Sequence, residues 1–319
     1  MIVERIEPRT VQAAIALAMR APSVHNTQPW KWRLAPRSVH LYADRDRWLS
    51  ATDPDGRDLV MSCGAVLHHL RVALAAAGLR ATVHRLPNPA EPDHLAAVEL
   101  TPGTAADADY GLVAALERRQ TDRRPFASWP VPDAVVAELV GVAAEQGAVL
   151  RPVTEGAGRT RLLRAIAEAE RIQRESPAYR TELALWSGRQ AGPDGVPAAA
   201  ADGAAAGVRR FDGATGTGGI DGATLLVLGT ASDDVLSWLR AGEATSAVLL
   251  HVTTAGLASS PLSQPLEVGG TRAVLRDDVL GGTLSPQMVL RVGWPSSAAK
   301  GSQRTPRRPV EETIAPGGG

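Results

Sequence analysis

Hydrophobic positions divide the chain into helical and extended stretches. Over residues 11–20 they recur at helical spacing and predict a helix. Trp30-Lys31-Trp32-Arg33-Leu34 alternates instead and predicts a half-buried strand. Residues 39–42, 81–85 and 97–100 read as further strands. Residues 112–119, 134–145 and 160–176 read as helices. The short apolar runs 225–228 and 288–292 read as buried strands.

A repeat underlies this order. An offset of 178 positions carries Gly64 onto Gly242 and Gly78 onto Gly256. The same offset pairs Leu70 with Val248, Leu74 with Val252, Ala77 with Ala255 and Leu79 with Leu257. Segments 64–81 and 242–259 therefore predict two equivalent amphipathic helices, each framed by glycines. Gly78 and Gly256 are suited to the left-handed position that follows a helix. The fold class expected is α+β, in two related halves. Each half has an antiparallel-rich sheet flanked by helices, and the division falls near Pro102-Gly103-Thr104, giving units 1–103 and 104–319.

Three polar segments carry candidate chemistry. The first is Ala21-Pro22-Ser23-Val24-His25-Asn26-Thr27-Gln28-Pro29-Trp30, a donor-rich loop stiffened by two prolines and suited to a planar polar ligand. The second, Arg118-Arg119-Gln120-Thr121-Asp122-Arg123-Arg124, closes a predicted helix with a dense cationic turn. Forked arginine donors suit a dianionic phosphate there, although a basic helix end also suits the helix dipole. The third is the run Arg304-Thr305-Pro306-Arg307-Arg308 near the end of the chain. Between the last two lies Ser259-Ser260-Pro261-Leu262-Ser263-Gln264-Pro265, which reads as a Ser-rich loop able to offer donors, or as a plain polar turn.

The first segment resembles the PSxxNxQPW motif of the nitroreductase superfamily, flavoproteins that bind FMN. Pro22, Ser23, Asn26, Gln28, Pro29 and Trp30 match at the motif's spacing. The surrounding sequence is most similar to the Acg-type subgroup, in which one chain carries two nitroreductase-like halves. The cationic turn resembles the superfamily's RRSxR motif, with Arg119, Thr121 and Arg123 at i, i+2 and i+4; Phe126 falls one residue later than the usual aromatic. The resemblance implies that Pro22, Ser23, Asn26 and Gln28 contact FMN, and that Arg119, Thr121 and Arg123 grip its phosphate and ribityl chain. It makes Arg307 and Arg308 further phosphate candidates, and Ser260 and Ser263 contacts at the ring edge. His25 becomes a candidate ring contact or proton donor. The loop occurs only in the first half and the arginine motif only in the second. Ordinary members draw these from two subunits, so the resemblance implies an internal pseudo-dimer with one composite FMN site and one degenerate site.

Residues 191–222 are rich in Gly, Ala, Pro and Asp, with little periodicity. A loop of that length is a lid, a binding loop or disorder. The subgroup resemblance favours a lid, with Trp186 and Asp194-Gly195-Val196-Pro197 within the similar region. Gly216-Thr217-Gly218-Gly219-Ile220-Asp221-Gly222 is not a dinucleotide fingerprint, because Asp221 stands at the third glycine and no strand–turn–helix surrounds it.

Composition narrows the function class. In 319 residues, 34 basic side chains balance 34 acidic ones, so no basic footprint for nucleic acid is expected. All the basic residues except Lys31 and Lys300 are arginines. The single cysteine, Cys63, rules out an internal disulfide and reads as a buried thiol preceding an apolar helix. No metal spacing is present, and His68 and His69 are adjacent on a helix, so they point apart. The N-terminus lacks signal-peptide order and no apolar run reads as a membrane span, so a soluble, cytoplasmic protein is expected. The partners expected are a small-molecule acceptor and transient NADPH or NADH. The expected assembly is a monomer, as an internal pseudo-dimer, or a weak homodimer. Two functions stand against each other. One is an FMN-dependent NAD(P)H oxidoreductase acting on a nitro, quinone or related acceptor. The other is an FMN-sequestering protein with a closed lid. A specialised dehydrogenase or flavin-cleaving reaction is a remoter third.

Overall fold

The computed structural model describes residues 6–187, 192–197, 221–296 and 304–315. Most of the predicted lid, 191–222, lies outside these residues, as do Gly216–Ile220 of the glycine-rich run and Lys300.

Helix α1 (Pro8–Ala18) has Pro8 in its first turn, where the missing N–H costs nothing, and it buries Val11, Ala14, Ile15 and Ala18 along one face. A loop leads to strands β1 (Trp30–Ala35) and β2 (Ser38–Ala43). The long helix α2 (Arg57–Ala76) follows, then β3 (Leu79–Arg85) and β4 (His94–Pro102). Helices α3 (Asp107–Arg118) and α4 (Asp133–Glu145) lead into β5 (Val149–Val153). The helical excursion α5 (Ala157–Glu175) and α6 (Pro177–Trp186) comes next. The chain returns as β6 (Thr224–Thr230), α7 (Val235–Thr254), β7 (Ala258–Leu262), the short α8 (Gln264–Glu267) and α9 (Gly269–Val274), and β8 (Ser285–Gly293).

The two sheets are built alike. Their strand orders are β1-β2-β4-β3 and β5-β6-β8-β7, antiparallel throughout. Each carries one irregularity in its second strand, at Leu41/Tyr42 in β2 and at Leu228/Gly229 in β6. The α+β class and the two related halves are as expected. Strand β7 is a difference. Residues 258–262 read as a loop because of their serines and Pro261, but they pair with β8 along its outer edge, where a proline leaves no ladder bond unmade.

Two of the four repeat glycines serve a different purpose from the one their sequence spacing predicts. Gly78 and Gly256 do adopt left-handed backbone after their helices, at φ 72° and 74°. Gly64 and Gly242, however, lie inside α2 and α7, at the point where the two helices cross. A Cβ on Gly64 would stand 2.1 Å from the Leu239 carbonyl oxygen, and one on Gly242 would stand 2.1 Å from that of Met61. Met61 and Leu239 are themselves related by the repeat offset. His68 Nδ1 meets Ser246 Oγ at 2.9 Å across the same interface, again 178 residues away. The crossing therefore lies on a local two-fold, and glycine is required on both sides of it.

Cys63 is inside α2 rather than before it. It is fully buried, with its Sγ 3.1 Å from the Pro29 carbonyl, and burial pushes its thiol pKa up. Helix α2 is also long and apolar enough to cross a membrane, contrary to the sequence reading. Its apolarity has another cause here: most of it is buried between α1, α7 and the first sheet.

Gly64→Ala and Gly242→Ala should each destabilise the protein by ~3 kcal/mol or more, the upper end of overpacking costs, because the clash is with backbone. Gly141→Ala, on an open face of α4 with no atom near its added Cβ, should instead gain about 0.5–1 kcal/mol. Urea unfolding of the three variants checks this contrast.

Candidate functional site

The donor-rich loop is held in unusual backbone geometry. His25, Asn26 and Gln28 all have positive φ, at 45°, 55° and 51°. Such values are uncommon for residues with a side chain and persist only where the surroundings enforce them. The Ser23 hydroxyl accepts the Gln28 N–H at 2.9 Å, the Ser62 hydroxyl accepts that of Val24 at 3.2 Å, and Thr27 Oγ1 donates to the Val24 carbonyl at 2.9 Å. From outside the loop, Arg307 donates to Asn26 Oδ1 at 3.0 Å, while Asn26 Nδ2 donates to the Gly195 carbonyl at 2.9 Å.

The arginine motif is fixed from the other half. Thr121 bridges Ser259 on the open edge of β7, and the Asp122 N–H donates to the Ser259 carbonyl at 2.9 Å. This attachment sets Arg119, Thr121 and Arg123 opposite the loop. Two adjoining cavities lie between them. Both are lined by Pro22, Ser23, Thr121 and Arg123, so they form one cleft.

The cavity at one end, about 310 Å³, is walled by Arg20, Arg119, Arg304, Arg307, Asn26 and Val196 in addition to the shared residues. No carboxylate lines it among the described residues. Arg119 is buried, and its Nε and one terminal nitrogen have no hydrogen-bond partner; Arg20 Nε is likewise buried and unpartnered. Burial, reinforced by neighbouring arginines, lowers the pKa of Arg119 to about 10 and that of Arg307 to about 9. Buried donors without acceptors are costly, and three cations repelling one another add to the cost. An anion with several oxygens, such as a phosphate, would relieve both.

The other cavity, about 110 Å³, is lined by His25 of the loop, by Asp58, Met61, Ser62 and Ala65 of α2, and by Gly242 and Thr245 of α7. Leu262, Ser263, Gln264 and Met288 close its far side. Thr245 Oγ1 is buried without a partner. Apolar walls with a few polar atoms at the margin suit a flat heteroaromatic ring.

Most predicted residues therefore meet in one cleft: Pro22, Ser23, His25, Asn26, Arg119, Thr121, Arg123, Ser263 and Arg307. Three do not line it. Gln28 is fully buried behind the loop; its Oε1 accepts the Arg308 N–H and its Nε2 donates to the Pro193 carbonyl, both at 2.9 Å. Arg308 donates to the Gln28 carbonyl and pairs with Asp44, so these two tie the chain's end to the loop. Ser260 is buried in β7, its hydroxyl without a partner, and it lines neither cavity. Sequence reading missed Arg20 and the α2 stripe, and placed Arg304 only within the terminal basic run. Arg20 directly precedes the loop, and Asp58 and Ser62 break an apolar helix at i and i+4, which were the available signals. His68 and His69 do diverge, the first to Ser246 and the second into the core.

The related position on the opposite side of the α2–α7 crossing is filled. Where the cleft has Ser62, Ala65, Thr245 and Ser263, the offset of 178 places Arg240, Glu243, Leu67 and Arg85. Glu243 is wholly buried and accepts from Arg85 at 2.7 and 2.9 Å and from Arg71 at 3.1 Å. Where α1 leads into the donor-rich loop, α4 passes to β5 through a turn of three residues, and Gln146 in that turn accepts from Arg71 at 2.8 Å.

Comparison with known proteins places this arrangement. No family model matches the chain. A Mycobacterium tuberculosis protein provisionally named NAD(P)H nitroreductase Rv3131 is 42% identical over 318 residues, spanning 97% of this chain and 92% of the relative. A second from the same organism, provisionally named NAD(P)H nitroreductase acg, is 37% identical over 316 residues and 95% of each chain. Among solved structures, the FMN-dependent nitroreductase NfnB from Mycobacterium smegmatis, in complex with NADPH, superposes with a TM-score of 0.45 at 17% identity, covering 65% of this chain and 98% of NfnB. With relatives of such identity aligned from end to end, the chain belongs to the NAD(P)H nitroreductase family, alongside its Acg members.

Proposed function

We propose that the protein is an FMN-dependent NAD(P)H oxidoreductase whose acceptor is a nitro compound, quinone or related small molecule. The observation that carries this reading is the arginine cluster around buried Arg119 at one end of the cleft, where no carboxylate lines the cavity among the described residues, while the other end is largely apolar. That division matches a phosphate joined by a polar chain to a ring. Arg20, Arg119 and Arg307 would hold the phosphate, Ser23 and Thr121 the linking chain, and the walls from α2 and α7 the ring. Bound FMN supplies two-electron hydride chemistry between a nicotinamide and the acceptor. The chain's own residues orient the ring, exclude water from one side of it and neutralise the phosphate. Of the residues at the ring cavity, His25 is the candidate for moving a proton.

The related position, plugged by Glu243 with Arg85 and Arg71, supports one flavin per chain. It also supports an internal pseudo-dimer divided near residue 103, which would need no second subunit to complete a site. Purified protein should release FMN at close to one per chain, measured by flavin absorbance after denaturation; two per chain, or none after reconstitution, overturns the composite site.

Arg119→Ala should weaken FMN binding by roughly 1.5–3 kcal/mol, the range for hydrogen bonds to charged groups. Riboflavin, without the phosphate, should bind the variant and the wild type alike in fluorescence titrations. An equal loss for both ligands would make Arg119 structural.

A second reading, flavin sequestration, is favoured by one observation. Residues 192–197 are fastened across the loop by Asn26–Gly195 and Gln28–Pro193 bonds, and by an ion pair of Asp194 with Arg47, whose guanidinium also lies 5.4 Å over the Trp186 ring. Asp194→Ala should loosen this fastening and speed FMN dissociation. In stopped-flow mixing with NADPH and NADH, the oxidoreductase reading expects the wild type to bleach at useful rates. The sequestering reading expects a nearly inert wild type and a gain in Asp194→Ala.

A further inference from the structure

A third cavity lies outside the cleft, at a place where the two sheets differ. In the second sheet the arginine motif covers the open edge of β7, with the Asp122 N–H on the Ser259 carbonyl. The repeat offset carries Ser259 to Ala81 of β3, the edge strand of the first sheet. Among the described residues nothing pairs with that edge. A cavity of about 340 Å³ stands against it, walled by Leu79, Arg80 and Ala81 of β3 and by His68, Val72 and Ala75 of α2.

His68 is the buried polar group of this cavity. Its Nδ1 meets Ser246 Oγ at 2.9 Å, and burial pushes its pKa down to about 3, so the ring is neutral. Ser246 is fully buried, and its hydroxyl has no other partner among the described residues. Were the imidazole to donate to Ser246, the hydroxyl hydrogen would be left buried without an acceptor. The hydroxyl therefore donates to Nδ1, and the one ring proton sits on Nε2. His69 has both ring nitrogens shut in, whereas His68 Nε2 is open to the cavity and offers it an N–H. Arg80 adds charge to this donor. It is exposed and has no acidic partner among the described residues. The other charged groups of the lining are committed elsewhere. Arg71 donates to Glu243 and Gln146, and Asp109 accepts the Ala106 N–H at 2.8 Å.

We propose that this cavity is a second ligand site, separate from the cleft, for a small organic carboxylate with an apolar body. The carboxylate accepts from His68 Nε2–H and from Arg80, and such charge-assisted bonds are the strong ones. The apolar body lies against Val72, Ala75 and Leu79. An inorganic anion gains nothing from those walls, and a neutral amide loses the attraction of Arg80. The site is independent of the flavin.

The test is calorimetric titration of the protein as purified, with benzoate as the probe. Benzoate should bind saturably, and benzamide about tenfold more weakly or worse, the worth of one hydrogen bond to a charged group. Inorganic phosphate should not displace benzoate. Arg80→Gln should bring benzoate down to the level of benzamide. Ala75→Leu, which fills the cavity from a helix position that accepts leucine, should weaken benzoate by about tenfold or more. Flavin absorbance should stay unchanged throughout, and thermal melts establish that both variants are folded. If benzoate does not bind, or binds both variants as it binds the wild type, the proposal is overturned. Benzoate that shifts the flavin absorbance and keeps its affinity in Ala75→Leu has entered the cleft instead, and that also overturns it. Displacement by phosphate would overturn the assignment to a carboxylate with an apolar body.

Discussion

The close crossing of α2 and α7 is the constraint from which the rest of the site follows. Two helices with ordinary side chains at the contact sit 8–10 Å apart. With glycine at both contact positions the backbones approach until a single Cβ would meet a carbonyl oxygen at 2.1 Å. That proximity lets one narrow cavity be walled by Asp58, Met61, Ser62 and Ala65 from one helix and by Gly242 and Thr245 from the other. Gly242 thus serves twice, as contact point and as floor. The same crossing brings the loop of the first half within reach of the arginine motif of the second. Each end of the cleft is lined from both halves, so neither half alone forms it.

Around this near-symmetric centre the chemistry is wholly asymmetric. On one side of the crossing the residues are small or unpartnered: Ser62, Ala65, Thr245 and Ser263. On the other the related residues are long and charged or bulky: Arg240, Glu243, Leu67 and Arg85. A carboxylate buried alone would be prohibitively costly, so Glu243 exists only with Arg85 and Arg71 around it. The plug therefore closes a cavity and ties β3 and α2 of the first half to α7 of the second. The cavity at the arginine end shows the opposite arrangement: among the described residues no carboxylate lines it, and Arg119 and Arg20 keep buried guanidinium nitrogens without acceptors. Charge is satisfied on one side of the crossing, and donors are left waiting on the other.

How much of this was legible in the sequence depended on the range of the interaction. The donor-rich loop and the turn holding Arg119, Thr121 and Arg123 could be singled out because each is a short local pattern; residue types alone left the turn open to a plain basic helix end, and the family resemblance named the individual positions. Positive-φ glycines after helices were legible for the same reason. Gly64 was misread as a helix boundary because a glycine at a cap and a glycine at a crossing leave the same mark in one dimension. Strand β7 was misread because Pro261 forbids an interior strand but not an edge, and edge position is a property of the sheet. Gln28 and Arg308 belong to one bonded pair separated by 280 residues, so nothing near either predicts that they face each other instead of the ligand. The α2 stripe was hidden by the apolarity of its helix, which is also what gives α2 the composition of a membrane span.

The loop's strain has its own logic. Three consecutive-region residues with side chains sit at positive φ, a cost of the order of 1–3 kcal/mol each. That cost is offset by bonds that come from every side: Ser62 of α2, Arg307 and Arg308 of the chain's end, and Pro193 and Gly195 of the segment after α6. Because these supports come from both halves, the loop keeps its shape only when the crossing is intact and the terminal segment is docked. Arg307 belongs to both systems at once: it holds Asn26 in its strained conformation and stands in the arginine cluster. An anion in that cluster would lower the repulsion on Arg307, the same guanidinium that bonds Asn26, so the charge of the cluster and the geometry of the loop meet at one side chain.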